Sequence, residues 1–470
     1  MLTIKSSAIA HALKIGVPVF FIVWTLVYFG LARARYDEVV RGLSSPKTIF
    51  INDFLGNEID GKFEGRGIAK LCKSKIWTPG LVMSCDPAPG GVGEVRNANL
   101  NCIRIAIEVG AELILPEILR RSDTDITDVI PDVGGPQRGM PASHFFDLDN
   151  LNHVLSTYCP QMKVYQSIDD LYNVPSIMDP KTFTVHSFTS EFKNGTVLRD
   201  PNALGKQFHD WLNRESPPEK RRYPMRVHME ATLYTFPIDT DEPDVMRNFG
   251  RMLHVRPDAR RLAAAALYAL STRYRFDMDP RISHTSSAVD KSFFGVHLRI
   301  ERDVDEDGHF QDYATQAATY LKHMGRSKAK VAYVASGADD AKSGAGGGGE
   351  GSGAYQDILD FTRRAAGAGL TVVTKRNLLD GGEQAELRRL TWDQRALVDY
   401  EVLLRAGEVL GTGASSFAWS LAVRRAHAFG HGDAGILDPG RSIVWQDEFS
   451  TLYGKHFPTE GGAMALTVWP

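Results

Sequence analysis

Residues 292–303 read SFFGVHLRIERD, an apolar run that breaks into charge at His297, Arg299, Glu301, Arg302 and Asp303. On a strand, Val296, Leu298 and Ile300 would point one way and His297, Arg299 and Glu301 the other. The run opens a series. A helical segment, YATQAATYLKHM (313–324), leads to the strand-like KVAYVAS (330–336), and AYQDILDFTRRAAGAG (354–369) leads to LTVVTK (370–375). TWDQRALVDYEVLLRAG (391–407) then precedes EVLGTG (408–413), and SFAWSLAVRRA (416–426) closes the set. Strand and helix alternate four times, which predicts a parallel, Rossmann-like sheet over 289–470. Ligands of such sheets sit beyond the C-terminal strand ends, where His297 and Arg299 fall.

The glycine-rich stretch 337–353 lies between the second strand and its helix and reads as a flexible surface insert. It lacks the G-x-x-x-x-G-K-[ST] pattern, which removes a P-loop ATPase. Upstream, GLVMS (80–84), a Gly-Pro loop, a helix from about Ala98 to Gly110 and AELILP (111–116) repeat the strand–loop–helix–strand order. A second α/β domain over 76–288 follows, with further strand character at TFTVHSF (182–188) and a helix over 259–275.

The N-terminal stretch Ile15–Ala32 carries no charge over 18 residues, near the minimum for crossing ~30 Å of hydrocarbon. It reads as an anchor (15–32) after a short tail (1–14), with a stem over 33–75; a cleaved signal peptide is the competing reading. The expected topology is a type II membrane protein with a luminal body. Asn194-Gly195-Thr196 is the one glycosylation sequon, and Cys72, Cys85, Cys102 and Cys159 form an even set whose three possible pairings stay open. Net charge is −3, so bulk attraction to nucleic acid has no support, and an anionic ligand must be held by a few local groups.

Arg299 offers a permanently charged planar fork suited to paired phosphate oxygens. In GTGASSFAWSLAVRR, Ser415 and Ser416 stand where a helix starts, and the free N–H groups there make an anion pocket. In APGGVGEVRNANLN, Gly90, Gly91 and Gly93 permit close backbone approach ahead of a helix.

These three blocks, in this order, resemble the GDP-fucose-dependent O-fucosyltransferase family with its fungal and plant relatives. GVHLRIERD is similar to that family's HLR-[FIY]-E-x-D signature, and GG-x-G-x-x-R with a later L-[IV]-LP to its first motif. DQRALVDYEVLLRAGEVLGTGASSFAWSLAVRR is similar to the third. The resemblance implies a two-lobed GT-B glycosyltransferase, inverting and with no cofactor beyond the donor GDP-fucose. It implies that Arg299 binds the diphosphate and stabilises the leaving GDP, and that His297 buttresses the nucleotide. Ser415, Ser416 and Phe417 would contact the phosphates, and Gly91 and Gly93 would let their loop close on the donor sugar. Asp399 and Glu401 are expected to be partners of basic groups. Two positions depart from the family's pattern. Glu94 replaces an Asn, leaving it either a general base or a helix-start acid, and Ser336-Gly337 replaces a Thr-Asp pair that helps bind the nucleotide.

Several Asp-x-Asp triplets occur, at 123/125, 147/149, 239/241, 277/279 and 303/305, and acidic loops supply such triplets readily. Fixed cationic and N–H groups favour metal-independent transfer. The expected enzyme moves fucose to a protein Ser/Thr or glycan hydroxyl in the Golgi or endoplasmic reticulum. The alternatives are another nucleotide sugar on the same fold, or a non-catalytic membrane protein that keeps the fold for binding.

Overall fold

A computed structural model of the chain describes residues 24, 44–122, 129–130, 139–171, 174–190, 192–193, 197–230, 233–282, 292–301, 310–339, 352–429, 442–454 and 463–470. The anchor reading at 15–32 falls outside the described residues apart from Trp24, as do the sequon, the 123/125 and 303/305 triplets and most of the insert. Among the described residues no helix is long and apolar enough to cross a membrane. The chain divides into a unit of residues 1–53 and a larger one of 54–470.

Residues 54–75, expected as stem, belong to the larger unit, where Phe54, Ile59, Ile68 and Cys72 are buried. The glycines of this stretch suggested a spacer. The apolar residues between them, and the bond from Cys72 to Cys159, put it into the core instead.

The larger unit carries two main sheets. In chain order the first holds β1 (Leu81–Cys85), β2 (Glu112–Ile114), β3 (Val164–Tyr165) and β4 (Lys181–Phe183). An antiparallel pair follows, β5 (Phe192–Lys193) with β6 (Val197–Leu198), and then β7 (Met225–Met229), which completes the first sheet. Its order is β3-β2-β1-β7-β4, all parallel. The second sheet holds β8 (Phe294–His297), β9 (Val331–Ala335), β10 (Thr371–Val373), β11 (Glu408–Thr412), β12 (Ile443–Gln446) and β13 (Ser450–Tyr453). Its order is β10-β9-β8-β11-β13-β12, parallel except for β12.

The helices that matter for the site are α1 (Val92–Val109), α2 (Pro257–Tyr274), α3 (Tyr313–Met324), α4 (Ser352–Gly367), α5 (Trp392–Leu403) and α6 (Ser416–Ala428). The second sheet buries Phe294, Val296, Val334 and Leu410 against Tyr320 of α3 and Phe361 of α4. Each such side chain contributes roughly 1.5–3 kcal/mol on burial.

Several boundaries differ from the sequence reading. The strand expected over 292–300 ends at His297, so Arg299 lies in the loop beyond it and both expected faces are buried. TFTVHSF is strand only to Phe183, after which Val185–Ser187 turns as a short helix under a Thr184 cap. The 391–407 helix stops at Leu403. The helix expected from Ala98 begins at Val92. Several of its polar residues are paired with distant parts of the chain: Asn97 and Asn101 both donate to the Leu233 carbonyl, and Arg104 grips Asp241 with two bonds of 2.9 and 2.6 Å. Those partners lie far along the chain, so the polar run looks like loop in the sequence.

Candidate active site

β8 lies at the centre of the second sheet. The chain winds from it to β9 and β10 on one side, then returns to β11 on the other. β8 and β11 are therefore neighbours at a topological switch point, where parallel sheets leave a crevice at their C-terminal ends. The loop after β8 carries Arg299, and the turn after β11 carries Ser415 and Ser416. Sheet topology alone brings these distant residues together.

The turn after β11 is tightly fixed. The Trp419 indole N–H donates to the Gly413 carbonyl at 2.8 Å, and Ser415 N–H to Thr412 O at 3.1 Å. Ser415 caps α6, its hydroxyl accepting from Ala418 N–H at 3.4 Å. Across the crevice, α1 starts at the extended N-cap Gly91. The two starts touch: a Cβ on Gly93 would stand 2.3 Å from the Ser416 carbonyl oxygen and 2.7 Å from the Phe417 nitrogen. Two helices of 18 and 13 residues thus direct their positive ends at one place.

A cleft of about 310 Å³ opens there, lined by Gly90, Gly91 and Glu94 from the first motif. His297 and Arg299 line it from the second, and Ser415, Ser416 and Phe417 from the third. The sequence-predicted site residues therefore line one cleft, except Gly93, which is the contact point between the two helix starts. Asp399 lines the cleft but is spent on Lys375 Nζ (2.7 Å) and the Tyr333 hydroxyl (2.6 Å), the partner of a basic group as expected. Glu401 is buried 3.9 Å from Arg260 Nε. Arg121, Phe145, Phe310 and Asp393 also line the cleft without a signal of their own in the sequence, and Trp392 lines it with them. Arg121 and Phe145 arrive from loops with no motif of their own; the aromatic at the start of α5, directly after the Thr391 cap, was the one usable signal.

Electrostatics sharpen the picture. His297 is 8 % exposed, its ring 4.7 Å from that of Phe417, and among the described residues its Nδ1 has no hydrogen-bond partner. Burial pushes its pKa down to about 4, with Arg299 adding to the effect and Glu301 opposing it, so the ring is neutral near pH 7. Arg299 pairs through Nη1 with Glu301 and stands 5.0 Å over the Phe310 ring. The Glu94 carboxylate folds back on the glycine loop, so that a Cβ on Gly90 would stand 1.2 Å from its Oε2. Burial raises its pKa, against the pull of Arg121. Arg121 itself donates to the Pro89 and Ala88 carbonyls and so holds the loop in shape. The Cys85–Cys102 disulfide staples the end of β1 to α1 on either side of that loop. Among the described residues no group of three or more His, Cys, Asp or Glu is placed to hold a metal ion.

The chain matches no family model and no curated protein. Among solved structures it is similar to POFUT1 in complex with GDP-fucose, at 13 % identity and a TM-score of 0.42, covering 81 % of this chain and all of that one. It is similar also to the fucosyltransferase NodZ from Bradyrhizobium, at 12 % identity and a TM-score of 0.34, covering 72 % of this chain and 90 % of the other.

Proposed function

We propose that the chain is an inverting, metal-independent glycosyltransferase that moves fucose from GDP-fucose to a hydroxyl of a protein or glycan. The observation that carries this reading is the meeting of two helix starts, Arg299 and a neutral His297 whose Nδ1 has no hydrogen-bond partner among the described residues, around one cleft. Such a cleft suits a diphosphate, because N–H groups and a guanidinium already point where negative charge would sit.

In the reaction the acceptor oxygen bonds to C1 of the sugar as the bond from C1 to the β-phosphate oxygen breaks. The electron pair leaves with the diphosphate, and its charge falls on Arg299 and the N–H groups at Ser416 and Phe417. Groups fixed in this way need no reorganisation during the step, and losing one donor costs roughly 3 kcal/mol. The acceptor proton passes to Glu94, whose raised pKa makes it a stronger base than an exposed carboxylate. His297, neutral, offers Nδ1 to a bound group without adding charge.

Two disulfides, Cys72–Cys159 and Cys85–Cys102, support a body in an oxidising compartment and thus the luminal, Golgi or endoplasmic-reticulum placement behind an N-terminal anchor.

Thermal-shift titration tests the donor. GDP is expected to raise the melting temperature where UDP and ADP do not, and equal stabilisation by UDP would favour another nucleotide sugar. Arg299→Ala is expected to lower donor turnover at least about a hundredfold, the scale of one lost charge-stabilising donor. Near wild-type turnover in a folded Arg299→Ala protein would remove the reading.

A further inference from the structure

Beside Arg299, one carboxylate makes several bonds at once. Glu301 Oε2 pairs with Arg299 Nη1 and accepts the Ile300 N–H at 3.0 Å, while its other oxygen, Oε1, accepts the Gly337 N–H at 2.7 Å. Gly337 is gripped on its second peptide group too, its carbonyl accepting the Trp392 indole N–H at 3.1 Å. No side chain fits at 337, since a Cβ there would stand 2.4 Å from the Trp392 ring and 2.7 Å from Glu301 Oε1. Glu301 is 8 % exposed, and all four residues line the same cleft. Arg299, Ser415 and Ser416 supply a cation and hydroxyls to its lining, while Gly337 and Trp392, with Ala335 and Ala396, supply apolar and backbone surface.

We propose that Glu301 is a positioning residue that sets both ends of the donor site together: the guanidinium that receives the diphosphate, and the Gly337–Trp392 wall that receives the nucleoside. The inference rests on the nucleotide-sugar reading and adds to it. A diphosphate anchor beyond β8 and a nucleoside wall beyond β9 and at the start of α5 would otherwise adjust independently. A carboxylate bonded to both makes them one rigid unit, so nucleoside and phosphate binding should fail together when it is altered. It also explains why this chain manages with Ser336-Gly337 at the end of β9: a glycine there lets Trp392 and Glu301 close on the backbone itself.

The experiment compares guanosine, which lacks phosphate, with GDP by calorimetric titration of the full-length protein. Arg299→Ala is expected to weaken GDP more than guanosine. Glu301→Gln, which keeps the shape but removes the charge, is expected to weaken both by about tenfold, the scale of a lost charge-assisted hydrogen bond. Gly337→Ala leaves both charges in place and is expected to weaken both as well; it decides the matter if Glu301→Gln does not fold. Weakening of GDP alone by Glu301→Gln, or unchanged guanosine binding in Gly337→Ala, overturns the two-ended role while the donor reading stands. If the wild type binds neither GDP nor guanosine, the donor reading itself fails.

Discussion

Gly93 shows how much a single hydrogen can decide. A methyl in its place would press on the Ser416 carbonyl and the Phe417 nitrogen, both of them backbone atoms that no rotamer change can move aside. Gly93→Ala should therefore separate the two helix starts, abolish GDP stabilisation and lower the melting temperature. Gly90→Ala meets a side chain instead, the Glu94 carboxylate, and should cost catalysis through the displaced base more than donor affinity. His297 adds a pH dependence. Its pKa falls from 6.5 to about 4 in the folded protein, so between those values the unfolded chain binds a proton that the folded one refuses. Stability is then complete above pH 6.5 and declines as pH falls toward 4, by about 3 kcal/mol. Denaturant melts of His297→Gln should have a flatter profile across that window, and an unchanged slope would show that the imidazole does not titrate as described.

At the level of elements, the α6 start unites stability and binding. Ser415→Ala removes the cap of a helix whose N–H groups face the cleft, and should cost about 1 kcal/mol of stability. GDP affinity should fall with it; thermal melts with and without GDP measure both. The elements of the second sheet were the most legible in the sequence. Its helix over 313–324 matches the expected span residue for residue, because apolar runs there end at charge or glycine. β12 and β13 were not read, since SIVWQDEFSTLY offers two short apolar pieces that gain meaning only beside β11. The motif residues of the site were legible because each stands at a strand end or helix start, positions marked by local signals. Arg121, Phe145 and the contact of Glu301 with Gly337, 36 positions on, were not, because no local pattern marks them.

Across the larger unit, a buried ionic cluster lies away from the cleft. Glu58 accepts from Arg260 of α2 at 2.6 Å and Arg424 of α6 at 2.5 Å, and Asp60 stands 3.3 Å from Arg251 Nε. Burial opposes the charge on Glu58, but Arg260, His254, Arg424 and Arg405 outweigh it and hold the carboxyl well below its usual range. Because the unfolded chain takes up this proton more readily, the contribution is complete above about pH 4.5 and is lost on further acidification. Glu58→Gln leaves buried guanidinium groups short of a partner and should cost about 3–5 kcal/mol, read from urea unfolding at neutral pH. A loss below 1 kcal/mol would mean that the cluster relaxes around the change.

The staple from Cys85 to Cys102 has a consequence at this same scale. It closes a ring of chain around the glycine loop, with the two sulfur-bearing residues 17 positions apart. A protease that nicks anywhere inside that ring cannot release either piece. The cut protein would migrate as one band without thiol and as two once dithiothreitol is added, which makes the gel itself a footprint of ligand shielding at Gly90 and Gly91.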